Sequence, residues 1–223
     1  MSTQHLKEAD DMTSIRVIVV DDHAFTRTTV SDSLRIHGID VVAACSTANE
    51  AIQGAAMHNP DVMIIDLNLG QGPSGLDLAT GLRKKNPHLG IVILTSYSDP
   101  RLMASDLPPL PQGALYLVKQ DIVETETLAQ AVARAHESSR SNRNTSNQST
   151  RLELTDGQVD VLRLMSEGFS NSEIARRRGV KEKAIEQTIS RIAKRLEIPA
   201  GSEVNQRAQL VRAYFELTGT QRV

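Results

Sequence analysis

A single cysteine, Cys45, excludes any intramolecular disulfide in this chain of 223 residues. Cys45 ends the apolar run 41–45, so it reads as a small buried hydrophobe. No apolar run approaches the roughly 20 residues that a membrane helix needs. Residues 1–14 are polar and acidic and read as a flexible tail, with no stretch that could act as a secretion signal. These absences place the expected working compartment in the cytoplasm. There is no bulk basicity to argue for nucleic acid, because the net charge is −2. That balance hides an asymmetry: residues 1–150 hold 12 basic against 17 acidic side chains, and residues 151–223 hold 13 against 10. An acidic front and a mildly basic rear suggest two jobs. Residues 138–150 contain no apolar side chain at all, which reads as a flexible tether between two domains.

What the front half has is alternation. Short apolar runs at 15–20, 41–45, 62–65, 91–94 and 114–118 read as strands. Helical patterns at 24–37, 48–58, 75–85 and 122–137 lie between or after them. This is the signature of βαβ units and a parallel sheet. One interval departs from it: Pro100, Pro108, Pro109 and Pro111 leave room for a helix over 101–106 at most.

Polar residues follow the runs. Asp21 and Asp22 come after the first, Asp66 after the third, Thr95 after the fourth and Lys119 after the fifth. In an open parallel sheet those strand ends share the rim where ligands bind. Three carboxylates, a hydroxyl and an ammonium there would hold a divalent cation and a phosphoryl group. Mg²⁺ suits them, because it takes oxygen ligands from one or two carboxylates plus phosphate and water. Asp22 and Asp66 read as ligands, and Asp21 as holder of a coordinated water. Asp66 is the expected nucleophile. Lys119 would pair with the phosphoryl oxygens, and Thr95 would hydrogen-bond them.

These residues resemble the receiver domain of bacterial response regulators over 15–137. The acidic pair sits in Val-Val-Asp-Asp-His at 19–23, with Asp66 matching the phospho-acceptor, Thr95 the switch hydroxyl and Lys119 the lysine. Tyr116 matches the aromatic that turns inward on activation. The resemblance implies a flavodoxin-like, doubly wound parallel sheet of five strands in the order 2-1-3-4-5. It implies phosphoryl transfer from a sensor histidine kinase. It also implies Mg²⁺ held by Asp22, Asp66 and the main-chain carbonyl of Asn68. The chain departs from the pattern after Asp66. Gly70 stands where a proline is usual, and Gly75 comes one residue late, so a longer loop is expected there. The stretch 107–111 falls where the family forms its fourth helix.

The rear, 151–223, reads as a small all-α unit of four helices. Expected spans are 157–167, a short helix closed by Gly179, 182–196 and 203–218, with capping boxes at Thr155/Gln158 and Ser170/Glu173. A short helix, a tight glycine-containing connection and a longer helix describe a helix-turn-helix. Residues 152–217 resemble the LuxR-type domain (NarL/FixJ-like), most clearly in Leu-Arg-Leu-Met-Ser-Glu-Gly-Phe-Ser-Asn-Ser-Glu-Ile-Ala at 162–175. Ile185, Ile189, Ile192 and Leu196 fall at helical spacing and should face the core. That turns Lys183, Glu186, Gln187, Ser190, Arg191 and Lys194 outward toward double-stranded DNA. The cations would meet phosphates, Gln187 an adenine and Glu186 a cytosine. Lys181 replaces the usual capping serine, and Glu186 a usual basic residue.

The expected function is that of a two-component transcription factor, phosphorylated on Asp66 and binding DNA as a homodimer. The altered loop and the prolines keep a second reading open: a DNA-binding regulator independent of phosphorylation, its front domain serving dimerisation or ligand sensing. An aspartate-nucleophile phosphohydrolase needs a second Asp two residues after the nucleophile. Asn68 stands there, so no enzyme is expected beyond chemistry of Asp66 on itself.

Overall fold

The computed structural model describes residues 14–141, 152–199 and 205–219. Five strands alternate with helices in the front half: β1 Arg16–Val20, α1 Ala24–Ile36, β2 Asp40–Cys45, α2 Ala48–His58, β3 Val62–Ile65, α3 Gly75–Lys85, β4 Gly90–Thr95, β5 Leu115–Val118 and α4 Thr125–Ser141. The sheet is parallel, in the order β2-β1-β3-β4-β5. Alternate strand residues feed two cores, as the period of two requires. Ile18, Met63, Ile65, Ile91 and Ile93 pack with Ala51 of α2 and with Leu76, Ala79 and Leu82 of α3. Val17, Val19, Ile64 and Val92 pack with Leu34 of α1 and with Leu128 and Val132 of α4 on the other face. Cys45 is buried, as its place in an apolar run predicts, and burial pushes its thiol pKa up.

Local signals set most boundaries. Thr47 caps α2 by accepting from Glu50 N, and Ser74 with Asp77 forms a full capping box on α3. Between β4 and β5 only one short 3-10 turn forms, Pro100–Leu102. The prolines that follow lie in irregular chain, with Leu107 and Leu110 packed against the sheet core.

The rear half is four helices: α5 Asp156–Ser166, α6 Asn171–Arg178, α7 Glu182–Arg195 and α8 Gln206–Leu217. Their shared core holds Val159, Leu162, Ile174, Ile185, Ile192 and Leu210. Leu102, from the 3-10 turn of the front half, is fully buried in that same core.

Several boundaries differ from expectation, among them the start of α4, at Thr125 and not at 122. The tether does not begin at 138: α4 runs on to Ser141, with Ser138 and Ser139 buried and Ser139 Oγ donating to His136 O. Packing of the helix on the sheet overrides the weak helix preference of serine. The rest of the predicted tether, 142–150, lies outside the described residues. So does the predicted tail up to 13; Ser14 already belongs to the fold, its Oγ donating to Gly38 O at 2.7 Å. The predicted start of the last helix at 203 also lies outside, and α8 opens on Asn205, which accepts from Arg207 N and Ala208 N. No helix among the described residues is long and apolar enough to cross a membrane.

Candidate functional site

The rim forms because the sheet ladder runs one residue past the strands. Asp66 N donates to Val20 O at 2.8 Å, and Asp21 N to Cys45 O at 3.1 Å. Asp21 and Asp66 therefore leave adjacent strands at one level. Thr95 closes β4 and pairs in register with Val118, the residue before Lys119. Lys119 Nζ donates to Asp21 Oδ2 at 2.7 Å and to Asp66 Oδ2 at 3.1 Å. Asp21 and Asp66 are only 3% and 6% exposed.

The charges are unbalanced. Burial raises the pKa of Asp66, Lys119 pulls it back, and the neighbouring Asp21 pushes it up again. Burial works against the Lys119 ammonium, yet Asp66 and Asp21 outweigh it and its pKa is raised. One ammonium against Asp21, Asp22 and Asp66 leaves room for a divalent cation. Potential ligand atoms of Asp21, Asp22, His23 and Asp66 lie within 4.8 Å of one another. The three carboxylates of that set are hard oxygen donors and fit Mg²⁺.

The structure places the other predicted residues as follows. Asn68 turns its side chain to Gly70, whose N–H it accepts at 3.2 Å. The loop after Asp66 is long, and it is turned by Gly70 at φ 75°. A Cβ at Gly70 would sit 3.5 Å from Asp22 Oδ2, so this loop folds down over the acidic pair. Gly75, one residue late in sequence, still packs its Cα side on the Asp66 backbone. The extra residue is thus absorbed between them. Thr95 is fully buried and its hydroxyl accepts from Tyr97 N at 3.3 Å. Tyr116 is buried, and its hydroxyl donates to Tyr97 O at 2.7 Å. Burial, then Asp99, drives its phenol pKa far up.

His23 was legible only as an exposed residue at a helix start. It is the N-cap of α1, and its Nδ1 lies 2.7 Å from Asp22 Oδ1. Arg27, not singled out in the sequence, donates from Nη1 to Asp21 O at 2.6 Å and ties α1 to the rim. Its position one turn into α1 was the available signal.

At the other end of the molecule, α7 is amphipathic as predicted. Ile185 and Ile192 are buried, while Ile189 and Leu196 are partly buried against the same core. Lys183, Glu186, Gln187, Ser190, Arg191 and Lys194 are all exposed. No ion pair among the described residues engages Lys183, Arg191 or Lys194. Lys181 makes no side-chain cap. The arginine run before α7 is used differently. Arg176 and Arg177 both bind Glu173, whose carboxyl pKa they pull down to about 2. Glu173 therefore does not complete the predicted capping box; only Ser170 does its half, accepting from Glu173 N. Arg177 also lies 3.6 Å over the Phe169 ring. Arg178 donates to Gly157 O and Asp160. Of the three, Arg178 ties α6 to α5, while Arg176 and Arg177 pair within α6.

Known proteins bear on both halves. The family model for the response regulator receiver domain matches residues 17–137. That for bacterial regulatory proteins of the luxR family matches 152–212. The chain is 32% identical over 196 residues to the DNA-binding transcriptional activator DevR/DosR of Mycobacterium tuberculosis, covering 82% of this chain and 88% of that one. It is 26% identical over 205 residues to the oxygen regulatory protein NreC of Staphylococcus haemolyticus, covering 85% and 94%. A solved complex of the two-component response regulator RcsB with DNA superposes with a TM-score of 0.57 at 22% identity, over 92% of this chain and 98% of that one. A second, of two RcsB dimers bound to two parallel DNAs, gives 0.52 at 23% identity, over 92% and 99%.

Proposed function

We propose a mechanism from one premise: the chain belongs to the response-regulator family, joining a receiver domain to a LuxR-type DNA-binding domain. It is a DNA-binding transcriptional regulator. In our reading its receiver takes a phosphoryl group from a sensor histidine kinase on Asp66. The observation that carries this is Lys119 held between two buried carboxylates, Asp21 and Asp66.

An ionised Asp66 oxygen attacks the phosphorus of the donor phosphohistidine. The P–O bond forms as the P–N bond breaks, and the imidazole leaves with the electron pair. Lys119 meets the negative charge on the transferred group as a compact cation. Mg²⁺ held by Asp22, Asp66 and the Asn68 carbonyl, with a water on Asp21, would neutralise the remaining phosphoryl charge. Thr95 then donates its hydroxyl hydrogen to a phosphoryl oxygen, and Tyr116 carries the change to the surface. The two RcsB dimers solved on DNA favour a homodimer here, with two recognition helices on two half-sites. A regulator of bacterial transcription works in the cytoplasm, where the chromosome is.

Incubation with a small acyl-phosphate donor and Mg²⁺ checks the acceptor. Label should enter the wild type and fall to background in Asp66→Asn; equal labelling refutes the assignment. The exposure of the α7 face favours a second reading, in which DNA binding does not wait for phosphorylation. Equal DNA affinity with and without the acyl phosphate would select it.

The DNA face has its own expected results. Arg191→Ala should weaken binding to all sequences alike and reduce the slope of log affinity against log salt by about 0.9, one phosphate contact. Gln187→Ala should lose about 1–3 kcal/mol on the cognate site only. Fluorescence anisotropy across a salt series, on cognate and scrambled duplexes, separates the two. An unchanged slope for Arg191→Ala would remove that residue from the interface.

A further inference from the structure

The segment 97–103 stands where a helix would lie, and it binds the wrong domain for a receiver loop. Asp99, 2% exposed, accepts from Arg101 N at 2.9 Å and from Arg101 Nη2 at 2.7 Å. It also accepts from Leu152 N, across the domain boundary, at 3.2 Å. Arg101 then forks into the start of the helical domain. It donates to Leu152 O at 3.2 Å, to Leu154 O at 3.0 Å and to Asp156 Oδ1 at 2.7 Å. Leu102 fills the helical core, and its carbonyl accepts from Tyr214 OH at 2.9 Å. Ser98 N donates to Leu217 O, the last residue of α8, at 2.9 Å. Tyr97 packs against both the sheet core and the helical core. Its own N–H and C=O are held by Thr95 and Tyr116, two residues of the rim. The outward side chains of α7 stay exposed throughout.

We propose that residues 97–103 form an interdomain latch, clamped by the Asp99–Arg101 pair and positioned by the Tyr116–Tyr97 hydrogen bond. The latch holds the DNA-binding domain by α8 and by its entry segment at 152–156. It leaves the recognition helix uncovered. Its effect is on how freely the two domains move, since α7 is already open to solvent. Any event that moves Tyr97 loosens the hold at both ends, because Ser98 and Asp99 follow directly in the chain. This inference stands apart from the acceptor role of Asp66.

Two amides report the latch directly: Ser98 N–H, bonded to Leu217, and Leu152 N–H, bonded to Asp99. Two others report the folding of each domain: Asp66 N–H, bonded to Val20, and Ile174 N–H, bonded to Ser170. Hydrogen exchange on the full chain resolves them. Arg101→Ala should speed exchange at Ser98 and Leu152 by about tenfold or more, with Asp66 and Ile174 unchanged. Tyr116→Phe keeps the ring and loses one hydroxyl; it should speed the same two amides by a smaller factor. Conservation of both rates in both variants overturns the proposal. So does acceleration that appears only together with Asp66 and Ile174, since that is unfolding.

Discussion

Gly75→Ala should abolish a stable receiver, at a loss of more than about 4 kcal/mol. The argument is steric. A Cβ built at Gly75 overlaps the Asp66 carbonyl oxygen and lies 2.9 Å from its carbon and 3.0 Å from Leu67 Cα. These are backbone atoms, and no rotamer relieves them. Gly75 N donates to Leu67 O at 2.8 Å, so the start of α3 is fixed where it is. Moving α3 outward would tear Leu76, Ala79 and Leu82 from the sheet core. The residue crushed is Asp66, the proposed phospho-acceptor, so acceptance of label should vanish with stability. Gly81 is the internal control. It lies on the same helix, exposed, with nothing within 4 Å of its Cβ position. Gly81→Ala should gain about 0.5–1 kcal/mol from helix preference alone. Urea melts followed by circular dichroism measure both, and a Gly75→Ala loss under 1 kcal/mol would mean that α3 can shift freely.

That close approach explains why the late glycine did not break the resemblance. Sequence spacing counts residues from Asp66, whereas the contact counts ångströms. A loop that turns at Gly70 takes up one residue and returns the chain to the same place. The strand ends were legible for a plain reason. A polar residue directly after a run of buried strand must emerge at the rim, and parallel order brings all the rims to one side. Asp21, Asp66 and Lys119 met as expected on that basis, and the α7 faces followed equally simply from a period of 3.6.

What was hidden depends on partners distant in sequence. Arg178 is the last of three successive arginines, and only the fold shows Asp160 opposing it from another helix. The prolines announced that any fourth helix would be confined to 101–106, and a 3-10 turn over Pro100–Leu102 is what forms. Nothing local announced that Leu102 would enter the core of the other domain, because periodicity reports which face is apolar and not what covers it. The serines at 138–141 read as tether for the same reason: their helix is stabilised by packing, which composition does not record.

Lys119→Met should lose about 3 kcal/mol at pH 8, the lower part of the range for breaking a buried ion pair, because Lys119 is itself partly exposed. Asp21 and Asp66 would then face each other with no cation between them. Burial already raises the Asp66 pKa in the wild type, and Lys119 is the group that pulls it down. Its removal raises that carboxyl further above its unfolded value of about 3.9. The sign follows from proton counting. Between the unfolded and the folded pKa the native state binds more protons, so stability falls as pH rises through that window. The deficit of Lys119→Met should therefore shrink as pH is lowered from 8 toward 5. Lys119 itself acts in a different range. Its raised pKa contributes stability below about 10.5 that is lost as pH rises through the folded value, a loss the variant cannot show. Adding Asp66→Asn to Lys119→Met removes one of the two opposed charges and should recover much of the loss, a coupling that independent sites would not give. Millimolar Mg²⁺ should raise the Tm of Lys119→Met more than that of the wild type, since the cation replaces the missing positive charge. Thermal melts at pH 5.5 and 8, with and without Mg²⁺, decide the matter. An equal deficit at both pH values, or a double variant weaker than either single one, would mean that Lys119 stabilises the rim by packing and not by its charge.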